Sequence, residues 1–167
     1  MSIVRAVPDR FHDLDYRSTL RAMVEAVVDC EAPLREDILA QRIARAHGWL
    51  RTGNKIRERV MLHLKDADRT SESSGDFIWK KGTVAELIDY RPPRDADARR
   101  AVSEISLAEL ASAVAANQDI LEEPDPALAL AWLLGVERLA ATARARLDEA
   151  LDRARNYLSK PRGVEGG

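Results

Sequence analysis

Three segments in the first half of the chain carry apolar residues at the spacing of an amphipathic helix. They predict helices over about residues 18–30, 35–47 and 52–67, the last of them capped by Thr52. Gly48 predicts a tight turn between the second helix and the third, because glycine tolerates the left-handed conformation that ends many helices. The stripes that the helices would bury are Leu20, Met23, Val24, Val27 and Val28, then Ile38, Leu39, Ile43 and Ala46, and finally Ile56, Val60, His63, Leu64 and Ala67.

A polar segment and a short apolar segment follow the third predicted helix. Residues 68–76 are too polar for a buried helix. Phe77-Ile78-Trp79, followed by Lys80-Lys81-Gly82, has the composition of a strand that leaves a hairpin. Three helices and a hairpin predict a winged-helix-like lobe over residues 16–90, preceded by an N-terminal extension over residues 1–15.

The second half of the chain follows a connector over residues 91–104, which is rich in proline and charge. Ser106 with Glu109 has the spacing of a capping box, and Ile105 with Leu110 has the spacing of a hydrophobic staple. A helix is therefore predicted to begin at this point.

Two more helices are predicted after it. Asp125 is a good N-cap with Pro126 at the first helical position, and Gly135 is placed to end that helix. The last predicted helix covers about residues 137–158, and the tail over residues 159–167 is predicted to be disordered.

The two halves are related by a shift of 87 residues, which lays residues 48–64 over residues 135–151. The helix order before these segments also matches, so residues 105–158 are interpreted as a second, degenerate copy of the three-helix unit. In that copy Leu139-Ala140 replaces Thr52-Gly53. The identities are Gly48 with Gly135, Arg51 with Arg138, Arg57 with Arg144, Arg59 with Arg146, and Leu64 with Leu151.

The predicted fold is therefore mainly α, with two tandem three-helix, winged-helix-like units, of which the first has a short β-hairpin wing and the second is degenerate. Charge divides along the same line. Residues 42–65 contain seven Lys or Arg and a single acid, Glu58, for a net charge of +6, whereas the whole chain carries −2. Residues 101–137 contain seven acids and no Lys or Arg. The basic segment is interpreted either as a surface for phosphate backbones or as a solvated face neutralised by acidic neighbours.

Nucleic-acid binding is the favoured function, with double-stranded DNA as the partner. The third predicted helix would enter the duplex, its N-terminus would favour phosphate, and Lys80 and Lys81 would lie on the wing. The candidate contacts are Arg42, Arg45, Arg51, Thr52, Asn54, Lys55, Arg57, Lys65, Lys80 and Lys81.

Protein interaction or self-association, including a homodimer, is the alternative function. Met61 and Leu62 are predicted to face outward from the same helix, and an exposed apolar pair suits a protein surface better than a phosphate surface. Trp49 is expected to plug the turn rather than to stack on a base. Arg59 is expected to pair with an acid such as Glu36 or Asp37.

The sequence contains no constellation that indicates catalysis. It has no Gly-rich phosphate loop and no Ser/His/Asp arrangement. Cys30 is the single cysteine, so an intrachain disulfide is impossible, and the three histidines share no ligand spacing. We therefore expect no enzyme activity, cofactor or metal. Without an apolar run that could span a bilayer or serve as a secretory signal, the expected location is the cytoplasm, away from membranes.

Several short motifs occur in order at fixed spacing in the first half. They are Glu31-Ala32-Pro33-Leu34, then Arg42-Ile43-Ala44-Arg45-Ala46 with Gly48, then Arg51-Thr52-Gly53 with Lys55-Ile56-Arg57-Glu58-Arg59-Val60, and finally Phe77-Ile78-Trp79. Together they resemble an uncharacterised module near the C-terminus of very large bacterial proteins that carry a superfamily-one, DNA-type helicase and often a restriction-endonuclease-like nuclease domain.

The resemblance extends from about Arg17 to Leu158 and departs from the pattern at Leu139-Ala140. It implies a winged-helix-like fold and a DNA-associated role, with a helicase or nuclease subunit as a further partner. The family has no established activity, so the resemblance implies no catalysis by this chain.

Overall fold

The computed structural model describes residues 6–161, and the chain divides into two compact units between Val84 and Ala85. The described residues are mainly helical, with six α-helices and one three-stranded antiparallel sheet. The division falls earlier than the predicted end of the first lobe at residue 90. The reason is that Leu87 and Tyr90 pack against the core of the second unit.

Unit 1, residues 6–84, contains three helices and the whole sheet. The order of elements is α1 (Arg17–Glu31), β1 (Leu34–Arg35), α2 (Glu36–Ala46), α3 (Asn54–Met61), β2 (Ala67–Glu72) and β3 (Gly75–Lys80). Within the sheet β3 lies between β1 and β2, and the two-residue strand β1 pairs through Leu34 with Ile78.

The third helix differs from the prediction at both ends. Its N-cap is Gly53, whose backbone is extended, and Thr52 makes no cap. The helix ends at Met61, whereas the apolar stripe predicts an end near Ala67. Ala67 instead pairs with Lys80 at the start of the hairpin, so strand pairing overrides the helical periodicity of the sequence.

The core of unit 1 includes residues that the sequence analysis assigned to an N-terminal extension. Phe11 is completely buried, and its ring lies edge-on to His47 and Trp49. The backbone N–H of Val7 donates to the Tyr16 hydroxyl, which fixes the segment before α1. The segment before α1 therefore contributes to the core of unit 1 through Ala6, Val7 and Phe11.

Unit 2, residues 85–161 as described, contains α4 (Leu107–Ala116), α5 (Pro126–Leu133) and α6 (Ala141–Ser159). Both predicted caps are confirmed, because the Ser106 hydroxyl accepts from the backbone N–H of Glu109 and the Asp125 carboxylate accepts from that of Leu128. The last helix begins at Ala141, later than predicted. Of the tail that the sequence analysis called disordered, residues 162–167 lie outside the described part.

The connector is fastened to unit 2 through the Glu109 side chain, which is completely buried. Its carboxylate accepts hydrogen bonds from the backbone N–H of Arg91 at 3.1 Å and from the Arg91 guanidinium at 2.8 and 3.0 Å. Arg100 donates to the same carboxylate at 2.7 and 2.9 Å. Burial opposes ionisation of Glu109, but the hydrogen bonds from Arg100 and Arg91 outweigh it and hold its pKa below its ordinary value.

The helix ends at Gly48 and Gly135 share one geometry, at positions that the 87-residue shift superposes. Both glycines have a positive φ, of 79° and 72°. The residue after each glycine donates to the carbonyl five residues earlier, Trp49 to Ala44 at 3.0 Å and Val136 to Ala131 at 2.8 Å. This is the hydrogen-bond pattern of a glycine-terminated helix.

The next helix in each unit also begins at an equivalent position, Asn54 in α3 and Ala141 in α6. Arg59 of α3 and Arg146 of α6 are equivalent as well, and each donates to two backbone carbonyls of the segment before the first helix of its unit. For Arg146 these are the carbonyls of Val102 and Ile105, at 3.2 and 2.6 Å.

Candidate nucleic-acid interface

The outer face of α3 and the turn before it hold half of the ten residues predicted to touch DNA. Arg51 and Thr52 are exposed at the N-terminal end of the helix. Met61 differs from the expectation, because it is partly buried and packs against the core of unit 1. The exposed residues on α3 itself are Asn54, Lys55, Arg57 and Glu58.

Three of the predicted contact residues form ion pairs within unit 1. Arg42 pairs with Glu31 at 3.0 Å, and Lys80 pairs with Asp29 at 3.7 Å. The third is Arg57. Among residues 6–161, no ion pair is formed by Arg45, Arg51, Lys55, Lys65 or Lys81.

Arg57 is held by a carboxylate at the start of α2. Its guanidinium lies 3.0 Å from Glu36, and Glu36 also receives Arg69 from β2 at 3.2 Å. The Glu36 side chain is only 12% exposed. Its carboxylate neutralises the positive charge of Arg57, which lies in the middle of α3. Along the outer face of α3, the positive charge available to a ligand is therefore concentrated at the N-terminal end, at Arg51 and Lys55.

Arg59 does not pair with Glu36 or Asp37, and that prediction is wrong. Its Nε donates to the carbonyl of Phe11 at 2.9 Å, and its Nη2 donates to that of Asp13 at 2.9 Å. Glu36, one of the two acids predicted to pair with Arg59, pairs with Arg57 instead. Arg59 thus fixes the chain before α1, and its charge is not neutralised by a carboxylate.

Lys80 and Lys81 lie away from the turn of the hairpin. Lys80 is the last residue of β3 and pairs with Ala67, whereas the turn joins Glu72 to Gly75 at the other end. Lys80 therefore belongs to the hairpin and Lys81 follows it directly, at the end of the hairpin opposite the turn. Both lie beside α1, where Lys80 pairs with Asp29.

Trp49 fills the turn between α2 and α3, as predicted. Its ring stacks on His47 with centroids 5.1 Å apart and planes at 17°. His47 is buried, and its Nδ1 lies 2.7 Å from the Ile43 carbonyl while its Nε2 lies 2.9 Å from the Tyr16 hydroxyl. Because a carbonyl only accepts hydrogen bonds, Nδ1 carries a proton and His47 serves to fix the turn.

Two leucines near α3 expose large apolar surfaces. Leu50 is 95% exposed in the turn, and Leu62 is 65% exposed just after the helix. Leu62 lines a groove of about 520 Å³ together with residues of α3 and Glu36. The surface around α3 therefore combines cationic and apolar groups.

Over residues 6–161, no group of three or more His, Cys, Asp or Glu side chains is arranged to hold a metal ion. None of the helices in this range combines the length and the apolar character that crossing a bilayer requires.

Comparison with known families places a match on the first part of unit 1. Residues 9–58 match a family described as a protein of unknown function (DUF3320). The match covers less than a third of the chain and ends within α3, so the hairpin and unit 2 lie outside it. No curated protein matches the chain, and no solved structure matches it either.

The matched region contains the segment before α1 that the sequence analysis treated as an extension. It also contains two exposed arginines of α1, Arg17 and Arg21, which are not among the predicted DNA contacts. Both lie outside the basic segment 42–65, and their spacing of four residues places them on one face of the helix.

Proposed function

We propose that unit 1 is a winged helix that binds double-stranded DNA through the N-terminal end of α3. The observation that carries the proposal is the order α1-β1-α2-α3-β2-β3 with β3 between β1 and β2. This arrangement supports a helix-turn-helix flanked by a hairpin, in which the second helix of the pair enters the major groove with its N-terminal residues foremost.

The charges favour the same end of the helix. Arg51 and Lys55 are exposed and form no ion pair within residues 6–161. Backbone N–H groups at the start of α3 add a partial positive charge. Arg57 is already held by Glu36, so we assign it a supporting role and Arg51 and Lys55 the main phosphate contacts.

Fluorescence polarisation with labelled duplex DNA tests this assignment. The wild-type chain should bind with an affinity that falls as salt rises, with a log–log slope of about −4.5 for about five phosphate contacts. The double variant Arg51→Glu with Lys55→Glu should lose binding. We choose this pair over Arg57 because Arg57 also anchors Glu36.

The matched control is Arg94→Glu with Arg138→Glu. Both arginines are exposed in unit 2, and the change in net charge is the same. Arg138 is also the counterpart of Arg51 under the 87-residue shift. If the control weakened binding as much as the α3 variant, the effect would arise from total charge, and the proposed interface would be rejected.

The internal correspondence supports a second element of the proposal. The equivalent glycines, helix starts and carbonyl-binding arginines support an origin of the two units by duplication of one three-helix unit. Thr142 stands where unit 1 has Lys55, so unit 2 lacks half of the cationic pair. We propose that unit 2 makes no duplex contact of this kind.

A protein partner is the second candidate, and the exposed leucines favour it. Leu50 and Leu62 together would present apolar surface to another protein, such as a helicase or nuclease subunit or a second copy of this chain. The variant Leu50→Ser with Leu62→Ser should then reduce self-association in light scattering while DNA binding persists. Unchanged monomer mass for wild type and variant would reject the homodimer.

A further inference from the structure

A second cationic site lies beside α3, and Lys65 is the one residue of its lining that is also among the predicted DNA contacts. It is a pocket of about 360 Å³ between the start of α1 and the segment that follows α3. Its lining is Arg17, Arg21, Arg59, Leu62, His63, Lys65 and Asp66.

The cations of this pocket are only partly neutralised. Arg21 pairs with Glu25 at 2.6 Å and reaches Asp66 at 3.4 Å. Arg17 and Lys65 form no ion pair within residues 6–161.

Arg59 adds a fixed positive charge to the same pocket. It is held by the backbone carbonyls of Phe11 and Asp13, which orient its guanidinium without cancelling its charge. The four cationic side chains of the lining therefore face two carboxylates, Asp66 in the lining and Glu25 beside Arg21, and a net positive charge remains.

His63 also lines the pocket, and the nearby arginines affect its pKa. Burial lowers the pKa of His63, and the charges of Arg59, Arg17 and Arg21 lower it further, while Glu25 acts in the opposite sense. The imidazole is therefore mainly neutral at pH 7, where it offers one N–H donor and one acceptor.

We propose that this pocket binds a phosphate group, and specifically a backbone phosphate of nucleic acid held on α3. Guanidinium groups fit phosphate because their planar donors match its oxygens, and more than one can address the same anion. Leu62 lines both this pocket and the groove along α3, so the two sites adjoin. A strand bound at α3 would then extend its backbone into the pocket.

The inference that the phosphate belongs to a nucleic-acid backbone rests on the proposed function, whereas the inference that the pocket binds phosphate does not. The test variant is Arg17→Ala with Lys65→Ala, because neither side chain has an ion-pair partner within residues 6–161 whose loss would disturb the fold. Arg59 is left intact because it holds the segment before α1. Circular dichroism should show an unchanged folded state.

Two measurements on the full chain divide the outcomes. The first is the salt dependence of duplex binding, for which the pocket variant should have a log–log slope less negative by about 1 than the control Arg94→Ala with Arg138→Ala. The second is the imidazole NMR signal of His63 during titration with inorganic phosphate at constant ionic strength. It should move in wild type and stay still in the pocket variant, with buried His47 as the internal reference.

Each result supports or overturns a stated part. If the His63 signal moves but the salt slope equals that of the control, the pocket binds phosphate from a small ligand, and the backbone source is overturned. If neither changes while Arg51→Glu with Lys55→Glu still abolishes duplex binding, the pocket inference is overturned and the proposed function stands. If wild type binds no duplex, the proposed function fails, and the phosphate titration alone decides the pocket.

Discussion

Replacing Glu109 with glutamine should destabilise unit 2 by about 3 kcal/mol. The carboxylate is completely buried and accepts hydrogen bonds from Arg91 and Arg100 at 2.7 to 3.1 Å. Glutamine keeps the shape but loses the charge, and its amide N–H groups would face guanidinium N–H groups. Donors would then oppose each other at the buried position of the side-chain amide.

The magnitude follows from the exposure of the partners. Breaking a fully buried ion pair by removing one member costs about 3 to 5 kcal/mol. The Arg91 and Arg100 side chains keep 38% and 24% of their exposure, so water would partly solvate the abandoned cations. We therefore expect the lower end of that range. The same change would also release the connector, because Arg91 and Arg100 lie on it.

Urea unfolding followed by circular dichroism measures the loss, and hydrogen exchange over residues 85–161 locates it. The control is Glu123→Gln, an exposed acid of the same unit, which should change stability by less than about 0.5 kcal/mol. A loss below about 1 kcal/mol for Glu109→Gln, with unchanged exchange in the connector, would refute the view that this carboxylate fastens the segment.

Three further outcomes are expected. Because the pKa of Glu109 is lower in the folded state, its ionised carboxylate stabilises the fold fully above the unfolded pKa of about 4.3, and this stabilisation is lost as pH falls through the folded pKa. The difference in urea midpoint between wild type and Glu109→Gln should therefore become smaller from pH 5 towards pH 3. Arg146→Met should cost about 2 kcal/mol in thermal or urea unfolding, since two carbonyls lose their donor, whereas Arg138→Met at an exposed site should cost almost nothing. Gly48→Ala should cost about 1 kcal/mol by left-handed strain alone, because the space around it is open, while Gly53→Ala at an ordinary φ of −77° should stay within about 0.5 kcal/mol.

The features that sequence reasoning located correctly depend on neighbours along the chain. The cap at Ser106, the cap at Asp125 and the left-handed glycine at Gly48 each need only a few adjacent residues. The buried stripe of α1 has the same local origin, with Leu20 and Val24 completely buried. Such signals can be read directly because the physical cause lies within one or two helical turns.

The features that were missed depend on partners far away in sequence. Strand β2 is polar, and only its pairing with β3 makes it a strand. The helical spacing of apolar residues continues to Ala67, so the sequence pattern does not indicate that this residue begins strand β2. Phe11 is a single aromatic residue in a polar segment, and it becomes core only because α2 and its following turn surround it.

The candidate site shows the same division. Composition located the cations between residues 42 and 65, but not their partners. Arg57 meets Glu36 across 21 positions, and Arg59 meets the Phe11 carbonyl across 48. A backbone carbonyl leaves no trace in composition, so sequence reasoning offered Arg59 an acid instead. The assignment of Arg51 and Lys55 to DNA stays a prediction.

The short segment over residues 81–84 is exposed. Its hydrogen bonds to the rest of unit 1 join the Gly82 backbone N–H to the Asp68 carboxylate and the Thr83 hydroxyl to the Lys80 carbonyl. Neither apolar core includes Val84. A trypsin cut after Lys81 would therefore fall in exposed chain outside the helices, the strands and both apolar cores. For the same reason, recombination within this stretch could graft either half onto another gene without removing a side chain from its interior.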